Sequence, residues 1–186
     1  MSTFLALKIE ICNAWTFMSV FVLQMIIIMF YNKRIIKRSH IPSDVRESSF
    51  EKYMSFITNI VWLLALVYSI FLPLLCGTIW FYIGLFVFVL GTLLLSFATY
   101  SFIAAPNDQL IQKGVYSFSR HPIYLATFLI CLGSGIASAS WILIILSVII
   151  AICLNYEARL EERYCQKIYR DLYLKYMDRV PRWFSI

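Results

Sequence analysis

Long uncharged stretches are the main constraint on how this sequence folds. One extends from Ala14 to Tyr31, a second from about Tyr53 to Leu72, and a third from about Ile79 to Phe102. About 20 apolar residues cross the hydrocarbon core of a bilayer as a helix that rises 1.5 Å per residue. Each stretch is therefore predicted to be a transmembrane helix. Hydrophobic residues fill 61% of 186 positions and charged residues only 14%, which excludes an ordinary soluble domain.

The stretch from Ile123 to Leu154 is too long for one span. Small residues interrupt its middle, at Gly133-Ser134-Gly135 and at Ser138-Ala139-Ser140. We therefore predict a tight helical hairpin with two shorter limbs, which brings the number of spans to five.

A helical rhythm continues after the hairpin, from Glu157 to Asp178. Apolar or aromatic residues recur every four positions, at Leu160, Tyr164, Ile168, Leu172 and Tyr176. This spacing predicts an amphipathic helix, which could lie on the membrane surface or cap a site between the spans. The predicted fold class is all-α: a polytopic membrane helical bundle with about five transmembrane helices, followed by a C-terminal amphipathic helix.

The basic residues predict the topology. All sixteen Lys and Arg residues except Lys8 fall in loop 32–52, in loop 103–121 or after residue 155. Five spans place these three segments on one side, and Lys and Arg concentrate in cytoplasmic loops. We expect the N-terminus outside or in a lumen and the C-terminus in the cytoplasm, in a bacterial inner membrane or a eukaryotic endomembrane. Net charge of +6 then requires no nucleic acid partner.

Two other features have simple interpretations. The polar segment from Ile41 to Glu51 is predicted to be a surface loop. The cysteines show no CxxC spacing and no neighbouring histidine cluster, so they are predicted to be small buried hydrophobic residues, with no metal site and no disulfide. They are Cys12, Cys76, Cys131, Cys153 and Cys165.

The segment between Leu110 and Tyr124 is the first candidate for chemistry. Pro122 disfavours a helical conformation at His121 and suits the first turn of the next helix. Arg120 and His121 would then lie at a helix N-terminus, where free N–H groups and the helix dipole attract anions. The residues alone fit an ordinary basic loop with interfacial tyrosines equally well.

A pair of adjacent carboxylates, Glu161 and Glu162, is the second candidate. Adjacent helical side chains point about 100° apart, so only one is expected to face inward. Glu162 follows Arg159 by three residues, and this spacing predicts an ion pair on a solvated face. Glu161 lacks such a partner and is expected to serve a ligand.

Four short motifs together resemble a known family. They are Gly114-Val115-Tyr116, Arg120-His121-Pro122-Ile123-Tyr124, Glu161-Glu162-Arg163, and Tyr173-x-x-Tyr176-x-x-Arg179-Val180-Pro181-Arg182. This combination resembles the isoprenylcysteine carboxyl methyltransferases and, more broadly, small integral-membrane methyltransferases that use S-adenosylmethionine. The resemblance covers about residues 108–184. It implies that residues 103–186 form a cofactor-binding core behind the N-terminal spans of residues 1–102.

The resemblance also implies roles for individual residues. Arg120 and His121 would be catalytic, and Arg159, which lies near the position of the family's acceptor-binding arginine, would bind the substrate. The cofactor would contact Leu110, Ile111, Tyr116, His121, Pro122, Ile123, Tyr124 and Glu161. Direct methyl transfer to a carboxylate would need no general base, whereas an amine or a thiol would need one, for which His121 or a tyrosine is a candidate.

The sequence departs from the family at two points. Family members often carry an arginine where this chain has Glu157, and Ile103-Ala104-Ala105 stands where Leu-Gly-x-x-Trp is common. The acceptor is therefore left open among a prenylcysteine carboxylate, a phospholipid amine, and a small thiol or acid. Two other functions stay open: a sterol-reductase-like NADPH oxidoreductase, which Glu161-Glu162-x-x-Cys165 also resembles, and a non-catalytic membrane scaffold.

Overall fold

The computed structural model describes residues 12–31, 49–106 and 109–184. Within these ranges the chain forms six α-helices and no β-strand. They are α1 (Trp15–Tyr31), α2 (Ser49–Ile70), α3 (Ile79–Ala104), α4 (Pro122–Ala137), α5 (Trp141–Tyr169) and α6 (Asp171–Arg179), with a short 3₁₀ helix at Gly114–Ser117. The predicted all-α fold class is confirmed.

Three helices are long and apolar enough to cross a membrane: α2 from Phe50, α3 and α5. Two shorter apolar helices, Trp15–Ile26 within α1 and α4, correspond to the other two predicted spans. The predicted helices therefore exist near the expected boundaries, while the number that cross a bilayer stays a prediction.

The helices bury one apolar core. α4 packs along α3 and against α5, α5 also packs against α2, and α1 contacts α2, α3 and α4. The largest buried apolar side chains come from different helices: Met18 from α1, Leu95 from α3, Ile130 from α4, and Leu143 and Ile150 from α5. Many other apolar side chains on α2, α3 and α5 are exposed, as a lipid-facing surface requires.

The chain stays helical at Gly133, where the sequence predicts part of the hairpin turn, because α3 and α4 pack closely there. Gly133 and its neighbours lie inside α4, and the hairpin turn comes later, at Ser138–Ser140. A Cβ atom on Gly133 would lie 2.5 Å from the backbone nitrogen of Phe88, and one on Gly84 would lie 2.2 Å from that of Ala137. The small residues here allow two helix backbones to approach each other rather than making a turn.

The predicted tail helix from Glu157 to Asp178 is wrong as a separate element. No glycine or proline interrupts residues 141–169, so α5 continues through Glu161 and Glu162 to Tyr169. The chain then turns at Arg170, which has φ of +46°. α6 folds back with Tyr173 and Tyr176 buried against the protein, so of the two predicted placements the structure shows the capping one.

Two smaller predictions need correction. The predicted surface loop 41–51 lies mostly outside the described residues, but its last three residues begin α2, where Glu51 is buried against Arg163. Cys131 and Cys153 are buried as predicted. Cys12 and Cys76 are exposed, because they lie at the ends of helices rather than inside the core.

The two ends of the bundle differ. At one end, the start of α1 is joined to the end of α2 by a hydrogen bond from the Ala14 amide to the Leu72 carbonyl, and the Leu75 amide donates to Ala137 at the hairpin. The opposite end gathers the starts of α2 and α4, the end of α5, the 3₁₀ helix and α6. The candidate site lies at this second end.

Candidate functional site

His121 lies between the two adjacent carboxylates of α5. It is the residue before α4, where Pro122 occupies the first helical position, and it is buried. Its Nδ1 is 3.3 Å from Glu161 Oε2, and its Nε2 is 3.2 Å from Glu162 Oε1. Both ring nitrogens face an acceptor, so the arrangement suits the imidazolium, which carries two N–H groups. The expectation that only one of the two glutamates faces inward is therefore wrong.

The pKa of His121 follows from this geometry. Burial by itself lowers the pKa, but hydrogen bonds to Glu161 and Glu162 and their negative charges outweigh it, and the net pKa is raised. This geometry favours the protonated form of His121, in which each N–H group faces a carboxylate.

Glu162 is the centre of a buried ion-pair network. Arg182 donates from Nε to Oε1 at 2.9 Å and from Nη2 to Oε2 at 2.6 Å, and Arg120 Nη2 lies 3.5 Å from Oε1. Glu162 is 3% exposed, while Arg159 is exposed on another face of α5. The predicted surface pair with Arg159 is wrong because the helix turns Glu162 toward the protein interior. We call Arg120, Glu162 and Arg182 the arginine side of His121.

Arg120 has capacity to bind a further group. Its side chain is 10% exposed, and among the described residues its Nε and Nη1 have no hydrogen-bond partner. A buried guanidinium N–H without a partner is costly. Arg120 directly precedes the start of α4, whose dipole also favours an anion. The local chemistry therefore fits an anionic ligand.

The segment Val180–Phe184, which we call the strap, closes the arginine side. The Arg120 amide donates to the Pro181 carbonyl at 3.0 Å, and the Ser119 hydroxyl donates to the Arg182 carbonyl at 3.0 Å. Trp183 Nε1 donates to Asn155 Oδ1 at 3.2 Å, which fixes the strap to α5.

The segment before α4 is held by α6. The Tyr176 hydroxyl donates to the Tyr116 carbonyl at 2.7 Å, and Leu110 packs against Tyr173, Tyr176 and Val180. Burial raises the pKa of Tyr173 and Tyr176 above the ordinary value, so both phenols are neutral. This packing places Leu110 and Tyr116 at the mouth of the site.

The other face of His121 is acidic. The Tyr124 ring stacks on His121 with centroids 5.4 Å apart, and its hydroxyl donates to Glu161. Glu157, one turn earlier on α5, accepts a hydrogen bond from Ser55 of α2 and interacts electrostatically with Tyr124. We call Tyr124, Glu157 and Glu161 the carboxylate side of His121.

The structure brings most of the predicted site residues together. Tyr116, Arg120, His121, Tyr124 and Glu161 lie at one end of the bundle with Leu110 beside them. Pro122 is buried at the start of α4, the Ile123 side chain packs against the hydrophobic core, and Ile111 is half-buried before the 3₁₀ helix. The predicted roles of all these residues stay predictions.

Sequence reasoning missed three contributors. Arg182 belonged to the family-like run but received no role, and Trp183 and Asn155 were not considered. An amide inside an apolar span is costly unless it serves a purpose, so Asn155 could have been noticed on that ground. No local signal pairs Arg182 with Glu162, because twenty residues and the turn at Arg170 separate them.

A groove of about 500 Å³ extends from the site along α4 and α5. Its walls are apolar side chains: Leu125, Phe128, Val148, Ala151 and Ile152. Tyr124, Asn155 and Trp183 line the same groove, and among the described residues they carry its polar side-chain atoms. We call it the α4–α5 groove.

Comparison with known proteins identifies the family. A comparison with curated protein sequences gives no significant match. The sequence profile of the phospholipid methyltransferase family (PEMT) matches residues 72–171, which include α3, α4, α5 and every residue of the carboxylate side. The match begins earlier than the resemblance noted from the motifs, and it ends before the strap. Because it spans more than half of the 186 residues, the chain belongs to the phospholipid methyltransferase family, which includes the isoprenylcysteine carboxyl methyltransferase-like proteins.

Proposed function

We propose that the chain is an integral-membrane enzyme that transfers a methyl group from S-adenosylmethionine to an amine on a lipophilic acceptor. One observation carries this proposal: Arg120 holds two buried nitrogens, Nε and Nη1, whose N–H groups have no partner among the described residues, beside the His121 carboxylate pair. Membership in a methyltransferase family supports methyl transfer over NADPH-dependent reduction and over a scaffold role.

The residues present fit the methyl donor. S-adenosylmethionine carries a carboxylate, an ammonium group, a ribose diol and an adenine ring. Arg120 and the start of α4 suit the carboxylate, and Glu161, whose side chain is 31% exposed, suits the ammonium group or the diol. Leu110 and Tyr116 suit the adenine. When bound, the methyl donor supplies a methyl group on a positively charged sulfur.

The rest of the reaction depends on alignment by the protein. Arg120 and Glu161 would fix the orientation of the methyl donor from opposite faces of His121, since they lie on its arginine side and its carboxylate side. The strap and α6 cover this end of the bundle and exclude water. Holding two reactants in line and away from water contributes a large part of the rate of such a reaction.

Glu157 points to the acceptor. The resemblance places an acceptor-binding arginine at this position in other members, and an arginine suits a carboxylate. Here Glu157 and Glu161 put negative charge beside Tyr124, where an ammonium group would be held and a carboxylate repelled. Among the acceptors left open by the sequence, this charge favours an amine-bearing lipid.

An amine acceptor must lose a proton before it can attack. His121 keeps its own proton between Glu161 and Glu162, so it is not suited to accept one. We assign this step to the Glu157 carboxylate, which would hold the ammonium group and accept its proton.

Calorimetry with S-adenosylhomocysteine, the demethylated product, tests the cofactor assignment. Arg120→Met in detergent-purified protein should weaken binding by about 1.5–3 kcal/mol, roughly 10- to 150-fold, because charged hydrogen bonds are lost. Arg179→Met is the matched control, since Arg179 is exposed on α6. If folded wild-type protein binds NADPH but not S-adenosylhomocysteine, the cofactor assignment is wrong and the reductase alternative is favoured.

We further propose five spans with the site in the cytoplasm. The basic residues of loop 103–121 and of the strap lie at the same end of the bundle, which supports this orientation. In single-cysteine variants, an impermeant thiol reagent added outside should label native Cys76, which is exposed at the opposite end. Ser117→Cys, exposed beside the 3₁₀ helix, should react only after the membrane is opened. If the reagent labels Cys76 and the Ser117→Cys variant from the same side of the membrane, the proposed topology is wrong.

A further inference from the structure

The α4–α5 groove opens toward the region where the bilayer would lie. Ile152 is 62% exposed and Val148 is 46% exposed, and both belong to a helix long and apolar enough to span a membrane. A water-soluble ligand would have to cross lipid to enter from this side. A hydrocarbon chain needs only to move sideways out of the bilayer.

The groove is also short. From Val148 to Asn155 along α5 it extends about 10 Å at 1.5 Å per residue. The hydrocarbon core of a leaflet is deeper than this, at about half of a total thickness near 30 Å. A lipid chain in the groove would therefore be held only near its polar end, and the rest would stay in the bilayer.

The groove and the candidate site share three residues, Tyr124, Asn155 and Trp183. Tyr124 lines the groove, stacks on His121 and donates to Glu161. Trp183 lines it as well, with its ring 6.4 Å from His121 and its Nε1–H bonded to Asn155. A chain seated between the two aromatic rings would end beside the carboxylate side.

We propose that the α4–α5 groove binds the part of one acyl chain next to the head group of the lipid acceptor, and that Trp183 determines the fit. This inference rests on the proposed function and adds a subsite to it. It makes the enzyme selective for an aliphatic chain near the acceptor amine but insensitive to chain length beyond the groove. It also gives a role to the strap, which lies outside the family match.

A groove-filling variant tests the proposal without catalysis. Ala151→Trp places an indole inside the groove, and Ile149→Trp places one on an exposed face of α5 outside it. Native mass spectrometry of protein reconstituted with a phospholipid of two oleoyl chains and then purified in mild detergent counts the retained lipid. Wild type and Ile149→Trp should each retain one lipid molecule, and Ala151→Trp should retain none. Equal retention by all three variants would mean unspecific annular lipid only and would overturn the proposal.

Binding of S-adenosylhomocysteine by the same samples separates this test from that of the proposed function. Preserved binding in Ala151→Trp shows that the protein is folded, and loss of lipid in that background supports the groove. Lipid retention without any binding of S-adenosylhomocysteine would contradict the proposed function and leave the groove in place. If Ala151→Trp does not fold, Ile152→Trp fills the groove from its outer edge instead.

Turnover provides a second readout. We expect an acceptor with hexanoyl chains to have a KM roughly tenfold or more above that of an octanoyl acceptor, because it leaves part of the groove unfilled. Octanoyl and oleoyl acceptors should be similar. Trp183→Ala should remove this preference, whereas Ile149→Ala, outside the groove, should keep it. A KM that keeps falling from octanoyl to oleoyl chains would contradict a short groove.

Discussion

The two sides of His121 are opposite in charge, although they begin at adjacent residues. On the arginine side, Glu162 is surrounded by Arg182, Arg120 and His121. On the carboxylate side, Glu161 and Glu157 share a small region with Tyr124. One residue along α5 therefore separates a cationic environment from an anionic one.

This difference indicates what each side can bind. Glu162 already has its cations, so the free capacity of the arginine side is the N–H groups of Arg120, which suit an anion. The carboxylate side has more negative than positive charge next to Tyr124, which suits a cation. An enzyme that joins a carboxylate-bearing methyl donor to an amine acceptor would need such a division.

Removal of the Glu162 charge tests the arginine side and should have the largest effect, on the free energy of unfolding. Glu162→Gln leaves two arginines and a protonated histidine without their common partner, and breaking a buried pair in this way costs about 3–5 kcal/mol. Titration of detergent-purified protein with denaturant should show this loss in the free energy of unfolding.

Glu161→Gln is the matched control, because its side chain is 31% exposed and it contacts one cation, His121, where Glu162 contacts three. We expect it to weaken binding of the methyl donor more than it destabilises the fold. Equal losses of stability in the two variants would abolish the distinction between the two sides.

Glu157→Gln should have the next largest effect, on the acceptor alone. Loss of a charged contact to the ammonium group should lower kcat/KM for an amine-bearing lipid by about 1.5–3 kcal/mol, roughly 10- to 150-fold. Binding of S-adenosylhomocysteine should stay the same, and Asp178→Asn on the exposed face of α6 should change neither value. An unaltered kcat/KM for every amine tested would refute the assignment of an amine acceptor.

The smallest expected effect is on the pH dependence of stability. It tests His121, which contacts a glutamate on each side. His121 has a raised pKa in the folded protein, so its stabilising contribution is complete below the unfolded pKa of about 6.5. The contribution is lost as the pH rises through the folded pKa. Thermal unfolding between pH 5.5 and 9 should show wild type and His121→Gln converging at the alkaline end. Parallel curves for wild type and His121→Gln would contradict a protonated bridge.

The sequence predicts the helices well because their signal is local. Uncharged runs of sufficient length identify α1, α2 and α3, and Pro122 marks the start of α4. The turn of the hairpin was less predictable, because Gly133 marks close contact with α3 rather than a bend. The end of α5 was also missed, because the turn there is made by Arg170 with a positive φ and no glycine marks it in the sequence.

The site was predictable only in part, for a different reason. The motif around His121 and the pair Glu161-Glu162 are visible in the sequence, and the structure places them together. Which carboxylate faces which partner depends on the phase of α5 and on the strap, and neither is a local property. Arg182 and Ser55 reach the two sides from distant parts of the chain, so only the fold reveals their contacts.

The bond between Arg182 and Glu162 also constrains the order of events during synthesis. Domains acquire structure progressively as the ribosome extends the chain. Glu162 is made before Arg182, at a time when the family-matched helices are complete but the strap does not yet exist. The two residues are only twenty positions apart, so the end of α5 and the strap leave the ribosome nearly together. Arg120 and His121 emerge earlier, and the arginine side should therefore be completed only when α5 and the strap fold back onto them.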